Sequence, residues 1–203
     1  MGLLAPPDPS GVAEIARRAA AAGSKVQVVG LVPGDAAWDG VLFELTAAGV
    51  GHATVVRSAR DSVEPADLDL ALRYLPDIRA VVIVRPSARL LPTAIAGADF
   101  AGATLVVVGP LDAESLAVLD QREGSGGSAG QAWAAATSAT AAPIILDPPA
   151  QDPDGTFAGF VGALATRLDA GDPPEVAFRA TVASLAVDPA SGVRERGGLV
   201  DGP

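Results

Sequence analysis

The sequence predicts an α/β domain of three layers, α/β/α, around a mainly parallel, doubly wound sheet. Three observations predict it. Short apolar runs at 25–31, 53–57, 80–84, 104–108 and 143–147, all but the last containing Val, read as buried strands. Stretches with apolar residues at helical spacing lie between most of them. Strands separated by helices imply right-handed crossovers and a sheet covered on both faces.

Each element has its own signal. Ser10 can cap a helix over about 12–22, where Val12, Ile15, Ala16 and Ala19 recur on one face and Gly23 ends it. Pro33-Gly34-Asp35 is a turn after the first apolar run. Gly40 to Ala48 forms a second helix with Val41, Leu42 and Leu45 inward, stopped by Gly49. Pro65 to Leu75 forms a third, striped by Leu68, Leu72 and Leu75. Arg85-Pro86 and Gly109-Pro110 close the strands at 80–84 and 104–108. Asp112 can cap a helix through Leu119. Residues 123–130 are Gly/Ser-rich and read as a surface loop, and 131–142 as partly helical. The helix from Thr156 to Ala170 carries Gly155, Gly159 and Gly162, which allow close approach of a neighbour. Asp172-Pro173-Pro174-Glu175 signals the start of a final helix reaching Val187. The chain reads as one domain over 1–187 with a tail at 188–203.

Composition narrows the function. The chain has 203 residues, 49% of them hydrophobic and 19% charged, as expected of a folded domain with a sizeable core. A net charge of −10 repels phosphate backbones and anionic lipid, so neither nucleic acid nor a membrane is an expected partner. No apolar run approaches the ~20 residues of a membrane span. The start, Met1 to Pro6, lacks the basic and apolar regions of a signal peptide. The absence of Cys removes thiolate chemistry and fits the cytoplasm. His52, the sole histidine, reads as a loop residue rather than a base.

Two stretches carry a family resemblance. The first runs from Ala19 through Gly23, Val28-Val29-Gly30 and Pro33-Gly34-Asp35 to Trp38-Asp39-Gly40, Gly49-Val50 and Val55-Val56-Arg57. The second is Gly155-Thr156-Phe157 to Leu164, then Leu168 to Ala177 and Ala180 to Ala186. Together they cover about half the chain and resemble the ribokinase-like (PfkB) carbohydrate kinases. That resemblance implies phosphoryl transfer from ATP, with Mg2+, to a sugar or nucleoside hydroxyl. It implies an aspartate base at the end of a Gly-Ala-Gly-Asp motif, and free amides behind it that hold the transferring charge.

Aligned on Thr156-Phe157, the base position falls on Gly155 and the anion-binding residues on Asp152, Pro153 and Asp154. Glycine accepts no proton, proline donates no amide, and carboxylates repel phosphate. Gly155 and Thr156 stand at the phosphate side. Gly11, Gly34 and Asp35 match the sugar side. Glu114 matches the acid of the family's magnesium-associated motif and equally suits a first helical turn. The chain is expected to begin too late for the family's opening strand and, being short between Val84 and Pro143, to lack the β-lid over the sugar.

Three readings follow. The first is a degenerate member that keeps the fold and has lost the chemistry, a binding or structural module compatible with a homodimer. The second is an active ATP-dependent sugar or nucleoside kinase whose base is Asp154, one residue early; otherwise Asp154 is an exposed cap of the Thr156 helix. The third is an unrelated doubly wound domain that binds another ligand, with Val28 to Gly34 as a phosphate loop.

Overall fold

The computed structural model describes residues 2–4, 11–34, 36–60, 62–75, 77–125 and 143–186. Six strands and seven helices alternate along these residues: β1 (Gly2–Leu4), α1 (Val12–Ala21), β2 (Gln27–Val32), α2 (Ala37–Ala47), β3 (Gly51–Arg57), α3 (Pro65–Arg73), β4 (Ala80–Val84), α4 (Leu91–Ala101), β5 (Thr104–Val108), α5 (Ala113–Ser125), β6 (Ile144–Leu146), α6 (Thr156–Asp169) and α7 (Pro174–Ala186). Every pairing is parallel. The strands form two ladders, β1-β2-β3 and β4-β5-β6. β1 also lies beside β4. The spatial order is therefore β3-β2-β1-β4-β5-β6, the doubly wound arrangement in which strand order reverses between β1 and β4.

The apolar runs serve two faces at once. Val28, Val32, Val82, Val84, Val106 and Val108 pack beneath α1, α2 and α6. The alternate residues Val29, Val81, Ile83, Leu105 and Val107 pack against α3, α4 and α5. Because side chains alternate along a strand, a run buried on both faces must be apolar at every position. α1 presents Val12, Ile15, Ala16 and Ala19 to the core, as its spacing requires.

Several boundaries differ from the sequence reading. The opening strand is present: Gly2 to Leu4 pair with Val28 to Gly30. Without it the inner edge of β2 would keep unpaired backbone groups inside the molecule, a costly arrangement that three residues of ladder relieve. α2 begins at Ala37, three residues before Gly40. α4, which the sequence reading did not assign, starts with proline in its first turn and ends on Gly102 at φ 65°. A proline there sacrifices no helical hydrogen bond, and glycine takes the left-handed conformation without strain. α5 continues through Ser125, so the Gly/Ser-rich loop begins no earlier than 126. The Asp172 carboxylate faces Arg167 (3.4 Å) while α7 begins at Pro174. The rest of the 123–130 loop, residues 131–142, Ser10 and the 188–203 tail lie outside the described residues. Among the described residues no helix is long and apolar enough to cross a membrane.

Candidate functional site

A parallel sheet gathers all its strand carboxyl ends at one edge, and ligands of doubly wound folds bind there, where the order reverses. Here that point is bordered by the end of β4, where Arg85 has φ 49° and is exposed. A non-glycine residue in the left-handed region is held by its surroundings at a cost of about 1–2 kcal/mol. Two bonds hold it. The Arg85 amide donates to the Val108 carbonyl at 2.7 Å, and the neighbouring Gly109 amide donates to the Leu146 carbonyl at 3.0 Å. Gly109 has φ 136°, and a Cβ there would lie 3.2 Å from the Cα and amide nitrogen of Arg85. Gly109→Ala should therefore destabilise the fold by about 1–3 kcal/mol, read as a lower urea midpoint at unchanged slope.

The second part of the edge is the start of α6. Asp152-Pro153-Asp154-Gly155 forms a turn in which the Gly155 amide donates to the Asp152 carbonyl at 3.1 Å. Asp, Pro and Gly stand at the first, second and fourth positions, where a type I turn favours them. Gly155 takes φ 65°, and the chain then enters the helix. The turn swings the Asp152 side chain over the helix end. Its Oδ1 accepts from the Phe157 amide at 3.0 Å and its Oδ2 from the Ala158 amide at 2.9 Å. Two of the otherwise unbonded donors of α6 are thus taken by an internal carboxylate.

Among the described residues, the cation that lies against this turn is paired in the same way. A Cβ on Gly155 would lie 2.9 Å from Nη2 of Arg18 and 3.5 Å from Oε1 of Glu14. Arg18 donates through Nε to Glu14 at 2.7 Å. Glu14 also pairs with Arg17, which reaches Glu44 of α2 at 2.9 Å. Both positive features beside the turn, the helix amino end and Arg18, face carboxylates of the chain itself.

The structure brings some of the expected site residues together. Gly155 and Thr156 sit at the start of α6, beside the first turns of α1, the helix that Gly11 precedes. The cap of α6 is Asp152 rather than Asp154: the turn turns Asp154 outward, exposed, and leaves the earlier carboxylate over the amides. The Asp-Pro-x-Gly pattern was the available signal for this. Gly34 lies two residues beyond the end of β2, with nothing within 4 Å of where a Cβ would stand. Asp35 lies outside the described residues. Glu114 is exposed in the first turn of α5, whose Leu119 packs on the opposite face of the sheet from α6. That turn is capped by Asp112, whose Oδ1 accepts from the Ser115 amide at 2.7 Å. Hydrogen bonds from the Ser115 hydroxyl and amide hold the Asp112 carboxyl below its ordinary range. Among the described residues no group of three or more His, Asp or Glu side chains could hold a metal. One exposed carboxylate does not supply the octahedral oxygen set of Mg2+.

No protein-family model and no curated protein matches the chain by sequence. Solved structures do match in three dimensions. Sa239 superposes with TM-score 0.58 at 14% identity, over 87% of this chain and 81% of its own. A protein assigned as a ribokinase II from E. coli gives 0.54 at 12% identity, over 83% and 78%. Aminoimidazole riboside kinase from Salmonella enterica gives 0.52 at 13% identity, over 84% and 80%. Taken with the parallel strands, the reversal of order at β1 and β4 and the helices on both faces, these likenesses establish that the chain is built on the ribokinase-like fold.

Proposed function

We propose that this chain is a catalytically silent protein of the ribokinase-like sugar kinase type, which works in the cytoplasm as a binding or structural module. The observation that carries the reading is the Asp152 carboxylate on the Phe157 and Ala158 amides. In a phosphotransferase those donors must be free for the charge that develops on the transferred group. Here a phosphoryl group would have to displace a covalently tethered anion and sit beside Asp154. Gly155, at the position expected of the base, has no group to take the hydroxyl proton. Arg18, the guanidinium against that position among the described residues, is already bonded to Glu14. The same E. coli fold neighbour has been crystallised with ATP and Mg2+ (TM-score 0.53). The residues at the matching edge of this chain do not fit that use. A small sugar or nucleotide held without turnover remains within this proposal, as does a homodimer.

The test compares the protein with its Asp152→Ala variant. The parent should show no ATP-dependent phosphorylation of ribose, fructose 6-phosphate or adenosine. The variant should be less stable by about 0.5–2 kcal/mol from loss of the cap. It should nevertheless gain affinity for inorganic phosphate, seen as a phosphate-dependent rise in melting temperature that the parent lacks. Sugar phosphorylation by the parent that disappears in Asp154→Asn would establish instead an active kinase with a shifted base.

A further inference from the structure

We propose that the outer side of β3 is an interface, pairing antiparallel with β3 of a second copy of this chain and joining the two sheets into one. This gives a surface to the homodimer left open above and rests on that reading for the homodimer alone. A monomeric chain would overturn the interface and leave the silent site as argued.

β3 is an edge of the sheet, bonded to β2 on one side and, among the described residues, to no strand on the other. The Ser58 amide donates to the Val32 carbonyl at 3.0 Å. Backbone groups alternate in direction along a strand, so Val56 and Thr54 also face β2, while Arg57 and Val55 turn their amides and carbonyls outward. Exposed edges are commonly blunted by Pro, by charged side chains or by a bulge. Ala53-Thr54-Val55-Val56 has no Pro and no charge, and the irregularity of register falls before Thr54. The Arg57 charge beside it is already paired with Asp39 of α2.

Two features select a second copy as the partner. The chain carries 24 Asp and Glu residues and a net charge of −10, so copies repel over most of their surface, yet β3 holds no carboxylate. The strand is also complementary to itself. A two-fold axis at Val55 sets Val55 against Val55, Thr54 against Val56 and Ala53 against Arg57. No like charges are opposed, and a pair of β-branched side chains stands on each side of the axis. This pairing covers Val56, which is 52% exposed. It also sets α2, which packs along β3, beside its copy, and α2 exposes Phe43 at 75%.

Sedimentation of the full chain from micromolar to millimolar concentration tests the proposal. The parent should reach twice the mass of one chain. Val56→Lys, at an exposed position, should raise the dissociation constant about tenfold or more with an unchanged circular dichroism spectrum, because a charge on an edge strand opposes pairing. The chain has no Cys, so Val55→Cys reports the register directly. Paired Cα atoms about 5.5 Å apart lie within disulfide reach, so mild oxidation should link most chains in twos. Tyr74→Cys, at an exposed position at the end of α3, should stay unlinked. If Val55→Cys does not fold, Val56→Lys decides alone. A monomer throughout the range, a dimer unaffected by Val56→Lys, or equal linking of both cysteine variants would overturn the interface.

Discussion

Leu164→Ala should lower the unfolding free energy by about 2–5 kcal/mol, the cost of deleting a buried leucine side chain and leaving its space only partly refilled. Leu164 is 0% exposed, in the middle of α6. It belongs to the cluster that joins α1, α6 and the Val82, Val106 and Val108 face of the sheet. Helix and sheet on three sides limit how far the site can collapse, which favours the upper half of the range. Urea unfolding measures it, and Phe100→Ala serves as the comparison. Phe100 is 93% exposed, and its truncation should stay within about 0.5 kcal/mol. Equal effects at the two positions would mean that α6 is not seated on the sheet.

The second large effect separates two glycines of one helix. Gly162→Ala should destabilise by about 1–3 kcal/mol, the range for overpacking a tight contact. The added methyl would lie 2.7 Å from Cβ of Arg18 and 2.9 Å from the backbone nitrogen of Ala19, and backbone cannot swing aside. Gly159→Ala should do the reverse. Nothing stands within 4 Å of its Cβ position, so the variant should gain about 1 kcal/mol from helix propensity. The sequence reading gave both glycines the same role. Only the rotation of α6 against α1 distinguishes them: Gly162 is buried in the helix contact and Gly159 faces away from it. Thermal melts of the two single variants, moving in opposite directions, would confirm that geometry.

How much could be read beforehand depended on whether the deciding interaction was local. β4 and β5 match their expected limits residue for residue. Their apolar runs are bounded by Arg85-Pro86 and Gly109-Pro110, so pattern and punctuation agree. β1 could not be seen, because Gly2-Leu3-Leu4 has no periodicity and is a strand only through its pairing with Val28, Val29 and Gly30 of β2, far along the chain. α4 carries Pro92 and Gly97, the two residue types least favourable in a helix. The proline falls in the first turn, and Gly97 faces the side chain of Leu72 on α3, where a larger residue would collide. At the candidate site, the residue types around 152–157 were legible and their roles were not. Proximity in sequence favoured Asp154 as the cap, whereas the turn geometry of Asp-Pro-x-Gly selects Asp152. Arg18 and Glu14 pair locally, four residues apart on α1, but their place beside Gly155 joins opposite ends of the chain, and no local pattern announces that.

The seating of α1 against α6 also sets an order of events on the ribosome. The hydroxyl of Thr166 reaches the carbonyl of Ala19, its partner 147 residues earlier. A nascent chain growing at about 5–20 residues per second therefore carries the α6-facing side of its first helix uncovered for on the order of ten seconds before that helix emerges. During that interval the surface around Arg18 and Ala19 that α6 later covers is available to chaperones or to neighbouring nascent chains, so yield in cells should fall with slower translation.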